Sequence, residues 1–114
     1  MALVCYHGSN AHIINQERAD FILKTIADPD RRKVIGSIKD QFKTAIQISE
    51  ETGLTLNKVY KKIHDLSDRN VLISSAKINS RGKKEFVYKS KIRKVLVEFE
   101  DDVLDVQIYT NLRD

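Results

Sequence analysis

Residues 44–66 read Thr44-Ala45-Ile46-Gln47-Ile48-Ser49-Glu50-Glu51-Thr52-Gly53-Leu54-Thr55-Leu56-Asn57-Lys58-Val59-Tyr60-Lys61-Lys62-Ile63-His64-Asp65-Leu66. Two helical stripes flank one glycine. Thr44 opens the first helix, and Ala45, Ile48 and Thr52 share a face of it. Gly53 ends it by supplying the left-handed backbone that a tight inter-helix turn needs. Leu54 plugs the turn. Thr55 caps a second helix whose buried stripe is Val59, Ile63 and Leu66, and Asn70 terminates it.

Downstream the hydrophobic period changes to two. Val71, Ile73 and Ile78 fit one strand, and Phe86 and Tyr88 another. Between them, residues 79–84 form a turn with Gly82 where positive φ is useful. Then Val95, Val97 and Phe99 alternate with polar residues, as do Leu104, Val106 and Ile108, with Glu100-Asp101-Asp102 between. The alternation favours a second hairpin, against a helix that Ile92, Leu96 and Phe99 would also fit. All six alternating residues would share one face. If the helices supply the core, some of that face is left for a second subunit.

Upstream, Phe21, Ile22, Leu23 and Ile26 give residues 17–27 an apolar helical face. Asp28-Pro29-Asp30 stops that helix and starts another, with Asp28 as cap and Pro29 in the first turn. The second helix is expected to run to about Asp40, with Val34, Ile35 and Ile38 inward. Residues 1–16 have no clear period and are expected to be an arm with weak internal structure.

The expected fold is therefore α+β: a winged helix-turn-helix, with a helical core and a β-hairpin wing, plus a C-terminal β-hairpin. Its parts are an arm at 1–16, the helix-turn-helix domain at 17–91 and the hairpin extension at 92–114. Asp28-Pro29-Asp30-Arg31-Arg32-Lys33-Val34-Ile35 resembles the helix-start signature of ArsR-type regulators. Residues 44–55 resemble the core of their helix-turn-helix, and Val59 to Leu66 with Asn70-Val71-Leu72-Ile73 resemble their recognition helix and the entry to the wing. The resemblance covers residues 20–91 and implies a dimeric transcription regulator.

Charge points the same way. Residues 53–94 hold twelve Lys and Arg against three acids, net +9, in a chain of 114 residues with net charge +4. Residues 1–52 balance, and residues 95–114 carry net −5. One region is thus suited to a polyanion. With Val59, Ile63 and Leu66 facing the core, the opposite face of the helix at 55–69 presents Asn57, Lys58, Lys61 and Lys62, with Tyr60 at its margin. Such a helix fits the major groove, where Asn can read adenine and Lys can read guanine acceptors. Thr55 is placed to meet a phosphate at the helix N-terminus. The wing tip, Arg81, Lys83 and Lys84, would lie on the adjacent backbone or enter the minor groove. The expected function is sequence-specific binding of double-stranded DNA by a homodimer, as a transcriptional regulator.

Two rival readings use other residues. A protein-interaction module would use the acidic C-terminal hairpin. A metal- or redox-responsive regulator would use Cys5, near His7 and His12, but zinc usually takes four ligands at tight spacing, so no metal and no cofactor is expected. No phosphate-binding Gly loop and no Ser/His/Asp or Cys/His constellation is present, which argues against an enzyme. A single cysteine forms no internal disulfide, and the first residues lack the pattern of a signal peptide. No apolar run approaches the roughly 20 residues of a membrane span, so a cytoplasmic protein is expected.

Overall fold

Thr44 and Gln47 close a reciprocal cap. In the computed structural model, which describes residues 2–7, 10–13 and 16–111, the Gln47 N–H donates to Thr44 Oγ1 at 3.1 Å. The Thr44 N–H donates to Gln47 Oε1 at 2.8 Å. Two orphan donors are thereby satisfied, and α3 (Ala45–Thr52) starts there. It stops at Gly53, whose φ of 77° is in the left-handed region. Three residues later α4 (Leu56–Asp68) begins, with Thr55 Oγ1 accepting the Lys58 N–H at 3.3 Å.

Two more helices complete the layer, α1 (Gln16–Ala27) and α2 (Pro29–Ser37). The Asp28 carboxylate caps α2 by accepting the Asp30 N–H at 3.0 Å. α2 ends at Ser37, short of the expected Asp40. At the end the Ile38 N–H turns back to the Ile35 carbonyl at 3.2 Å, and the Ile38 carbonyl accepts the Ser90 N–H at 2.9 Å, which ties the chain there to the end of a strand. Ile22, Val34, Ile38, Ile48, Val59, Leu66 and Val71 are wholly buried and form one cluster.

The strands form two sheets. β3 (Leu72–Ile78) and β4 (Lys84–Ser90) pair as an antiparallel hairpin, with Ser75 opposite Val87. Its turn folds around Asn79, whose Oδ1 accepts the Arg81 and Lys83 N–H groups, and Gly82 takes a φ of 74°. Phe86 and Tyr88 lie in β4 as expected, yet Val87 between them is the residue that is buried.

The second sheet has four strands in the order β2-β1-β6-β5. β5 (Ile92–Glu100) and β6 (Val103–Thr110) form the second hairpin, not a helix. Val95 stands opposite Ile108, Val97 opposite Val106 and Phe99 opposite Leu104, so the six apolar residues do share a face. Its turn, Asp101-Asp102, has positive φ at both residues, 50° and 62°, as a two-residue hairpin turn requires.

Two expectations need correction. Within residues 1–16, expected to be a weakly structured arm, β1 (Ala2–His7) and β2 (Asn10–Ile13) pair antiparallel, and β1 runs parallel to β6 with Leu3 paired to Val106. A parallel partner so distant in sequence leaves no local period to find. Nor is the C-terminal hairpin outside the core. Val106 and Ile108 are buried in the same cluster as the helices, with Val95 and Leu104 packed against it. Only the half of the face nearer the turn is open. Among the described residues, no helix is long and apolar enough to cross a membrane.

Candidate nucleic-acid interface

Val59, Ile63 and Leu66 are buried, and this fixes the rotation of α4. Asn57, Lys58, Tyr60 and Lys61 are consequently exposed on its other side. Thr55 is exposed at the N-terminus, its oxygen engaged by the Lys58 N–H and its own hydroxyl proton left to donate. The first N–H groups of the helix have no intrahelical acceptor, so this end favours an anion.

Lys62 belongs elsewhere. Its ammonium donates to the Asp28 carboxylate at 2.9 Å, and Arg31 reaches the same carboxylate at 3.5 Å. Arg31 also pairs with Asp65 at 3.3 Å. These four residues clamp α4 onto the N-terminal end of α2. The Lys62 hydrogen bond, more than any other influence, holds the Asp28 carboxyl below its usual pKa, against a partial desolvation that raises it. Arg69 is also occupied, by Glu17 at 3.2 Å and by the ring of Phe21.

The hairpin is held in register with α3 by one short backbone bridge. The Lys43 N–H donates to the Tyr88 carbonyl at 3.0 Å, and the Tyr88 N–H donates to the Lys43 carbonyl at 2.9 Å. Lys43 in turn pairs with Glu51. A groove of about 490 Å³ results, walled by Thr44, Ile46 and Gln47 from α3, Tyr60 from α4, and Lys84 and Phe86 from β4. Phe86 is half-exposed on its wall, with the Lys84 ammonium 5.3 Å from the ring centre. Tyr88 lines the groove from below, and burial raises its phenol pKa, with the nearby Tyr60 adding to the effect.

Of the nine residues expected at the site, α4 and its cap leave Thr55, Asn57, Lys58, Tyr60 and Lys61 exposed, and Lys84 shares the groove with Tyr60. Arg81 and Lys83 are exposed at the hairpin tip, beyond it. Lys62 alone is turned into the α2–α4 clamp. No ion pair among the described residues engages Lys58, Lys61, Arg81 or Lys83. Ile46, Gln47 and Phe86 were not foreseen. Ile46 and Gln47 follow an N-cap and are exposed where the helix must face out, which the Ala45–Ile48–Thr52 stripe could have signalled.

For the rival metal reading, the β1–β2 register sets Cys5 opposite His12 and His7 opposite Asn10. That places three ligand residues on neighbouring positions, one fewer than a structural zinc site usually has. Among residues 16–111 no group of three or more His, Cys, Asp or Glu is arranged to hold a metal ion. No protein-family model matches the chain, and no curated protein is significantly similar to it.

Proposed function

We propose that the chain is a winged helix-turn-helix module that binds double-stranded DNA and acts as a transcriptional regulator, as two copies. α3 and α4 are the helix-turn-helix, and the β3–β4 hairpin is the wing. α4 enters the major groove, where Asn57, Lys58 and Lys61 meet base edges and phosphates. Thr55 and the α4 N-terminus take a backbone phosphate. Arg81 and Lys83 at the wing tip neutralise phosphates of the adjacent groove. Lys62 is not a DNA contact in this account; it sets the tilt of α4.

The observation that carries this is the exposed face at the start of α4, where Asn57, Lys58 and Lys61 have no acid among them, with Tyr60 at its margin meeting Lys84 and Phe86 of the hairpin across one groove whose lining also includes Glu85. A solvated helix face alone needs no such second wall. The 13 residues of α4 span about 20 Å, enough to cross a major groove about 12 Å wide.

The test is fluorescence anisotropy on random-sequence and selected duplexes across a salt series. The expected result is an affinity that falls steeply with salt, with a log–log slope of about −4 or steeper if five or more phosphates are neutralised. A protein-interaction module would show a slope near zero, and that result would sink the DNA account.

A further inference from the structure

β5 is an edge strand: β6 lies on one side of it and no other strand on the other. Among the described residues, no backbone hydrogen bond joins residues 93–100 to anything outside the β5–β6 ladder. An open edge of nine residues normally carries a device that repels pairing, such as proline or charges of one sign. Here there is no proline, and the one irregularity in the ladder is confined to its start, between Ile92 and Lys94. The charges have opposite signs at the two ends, Arg93 and Lys94 at the start and Glu98 and Glu100 at the finish. Around them, Leu96 is 39% exposed, Val97 40% and Phe99 71%.

We infer that a second copy of this chain covers this edge, the two β5 strands running antiparallel about a two-fold axis at Leu96. An antiparallel pair must keep side chains on their own faces, so only even shifts are allowed. With Leu96 on the axis, Lys94 of each copy stands opposite Glu98 of the other, on either side of the Leu96 pair. On the opposite face Val95 meets Val97. From 94 to 98 every apolar residue then faces an apolar one, and Glu98 faces Lys94. A shift of two that puts Val97 on the axis sets Glu98 against Leu96 and loses this match.

The strand also carries its own receptor for Phe99. A cleft of about 340 Å³ lies beside the first residues of β5, walled by Ile26, Ile35, Gly36 and Val95 and rimmed by Arg32 and Lys39. Arg93 and Val95 belong to the cleft wall; the ladder is irregular between Ile92 and Lys94, and Phe99 of the second copy falls beside that stretch, at the cleft. An exposed ring and an open apolar cleft, each present once per copy, are thereby matched twice by one symmetry operation, as an isologous interface requires.

This inference rests on the two-copy part of the proposed function and not on DNA contact. The experiment is sedimentation equilibrium on the full chain, with exposed-residue variants that leave the core intact. The wild type is expected to be a dimer. Lys94→Glu alone and Glu98→Lys alone should each weaken it by about ten-fold or more, because each turns two attractive cross-strand pairs into repulsive ones. An equimolar mixture of the two variants should dimerise again, since every facing pair is then of opposite sign. In a Cys5→Ser background, oxidised Leu96→Cys should form a covalent dimer and Val97→Cys should not. Single variants as tightly dimeric as the wild type overturn the interface, and cross-linking through Val97→Cys in place of Leu96→Cys overturns its register. A monomeric wild type overturns the inference and the two-copy proposal together, and leaves the anisotropy test of DNA binding standing.

Discussion

Lys61 and Lys62 are neighbours in sequence, and the structure gives them different work, so replacing each by alanine separates binding from stability. Lys61 is exposed on the outer face of α4 with no acidic partner among the described residues. Lys61→Ala should leave the melting temperature unchanged. If Lys61 reads a base it should weaken DNA binding by about 1–3 kcal/mol and relax preference at one position. Lys62 donates to Asp28 at 2.9 Å, and the two side chains are only 24% and 27% exposed. A fully exposed pair would contribute about 0.2–1 kcal/mol. A hydrogen bond to a charged group contributes about 1.5–3 kcal/mol. Asp28 keeps Arg31 and the Asp30 N–H after the substitution, so its charge is not stranded. Lys62→Ala should therefore cost about 1–2 kcal/mol, or roughly 5–10 °C in a domain of this size. The difference should also depend on pH. Asp28 has a lowered pKa when folded, so its contribution is complete above the ordinary carboxylate value of about 4 and disappears as pH falls through the lower folded value. Thermal melts of wild type and Lys62→Ala from neutral pH down to strong acid should run parallel at first and converge only at the acid end. Anisotropy titrations of both variants complete the assay. A Lys62→Ala protein with unchanged melting and lost DNA affinity would refute the placement of Lys62 in the clamp, and with it the rotation assigned to α4.

Three other outcomes follow from the same structure. Arg81→Ala with Lys83→Ala should weaken binding about equally for all duplexes and flatten the salt slope by about two units; a changed base preference at constant slope would make the wing a base reader. Asp102→Gly should stabilise the protein by about 1 kcal/mol in chemical denaturation, because the residue sits at a φ of 62° that glycine adopts without strain; a loss of stability would mean the Asp102 side chain supports the turn. Ending the chain after Lys94 should abolish cooperative unfolding in circular dichroism, since Val106 and Ile108 leave the core with β6; a folded monomer would show that the helices close without them.

The parts of the fold that obey local rules could be read from the sequence. The Thr44 and Thr55 caps, Gly53 between them and the Val59-Ile63-Leu66 stripe each act within a few residues, so α3 and α4 follow from spacing. The facing of Val95, Val97 and Phe99 with Ile108, Val106 and Leu104 follows from alternation in the same way. What escaped was non-local. β1 meets a strand about a hundred residues away, and no pattern within residues 2–7 names that partner. α2 stops short of Asp40, and there the Ile38 carbonyl meets the N–H of Ser90, a residue about fifty positions away. At the candidate site the exposed lysines were visible as charge, but charge alone could not tell Lys61 from Lys62. That distinction needed Asp28 at the far end of another helix.

The parallel pairing of β1 with β6 sets an order of events for folding. The helices and the β3–β4 hairpin need only short-range closures. Joining Ala2 to Asp105 closes a loop of about a hundred residues and must wait for β6 to exist. The β1–β2 hairpin is thus added last and is the first to open, a separable unit on top of a faster-forming nucleus. While it is open, the edge of β6 that β1 covers is bare, and a β1 from another chain can enter in its place. Exchange of that strand between molecules is the failure this topology invites, and it grows with protein concentration during refolding.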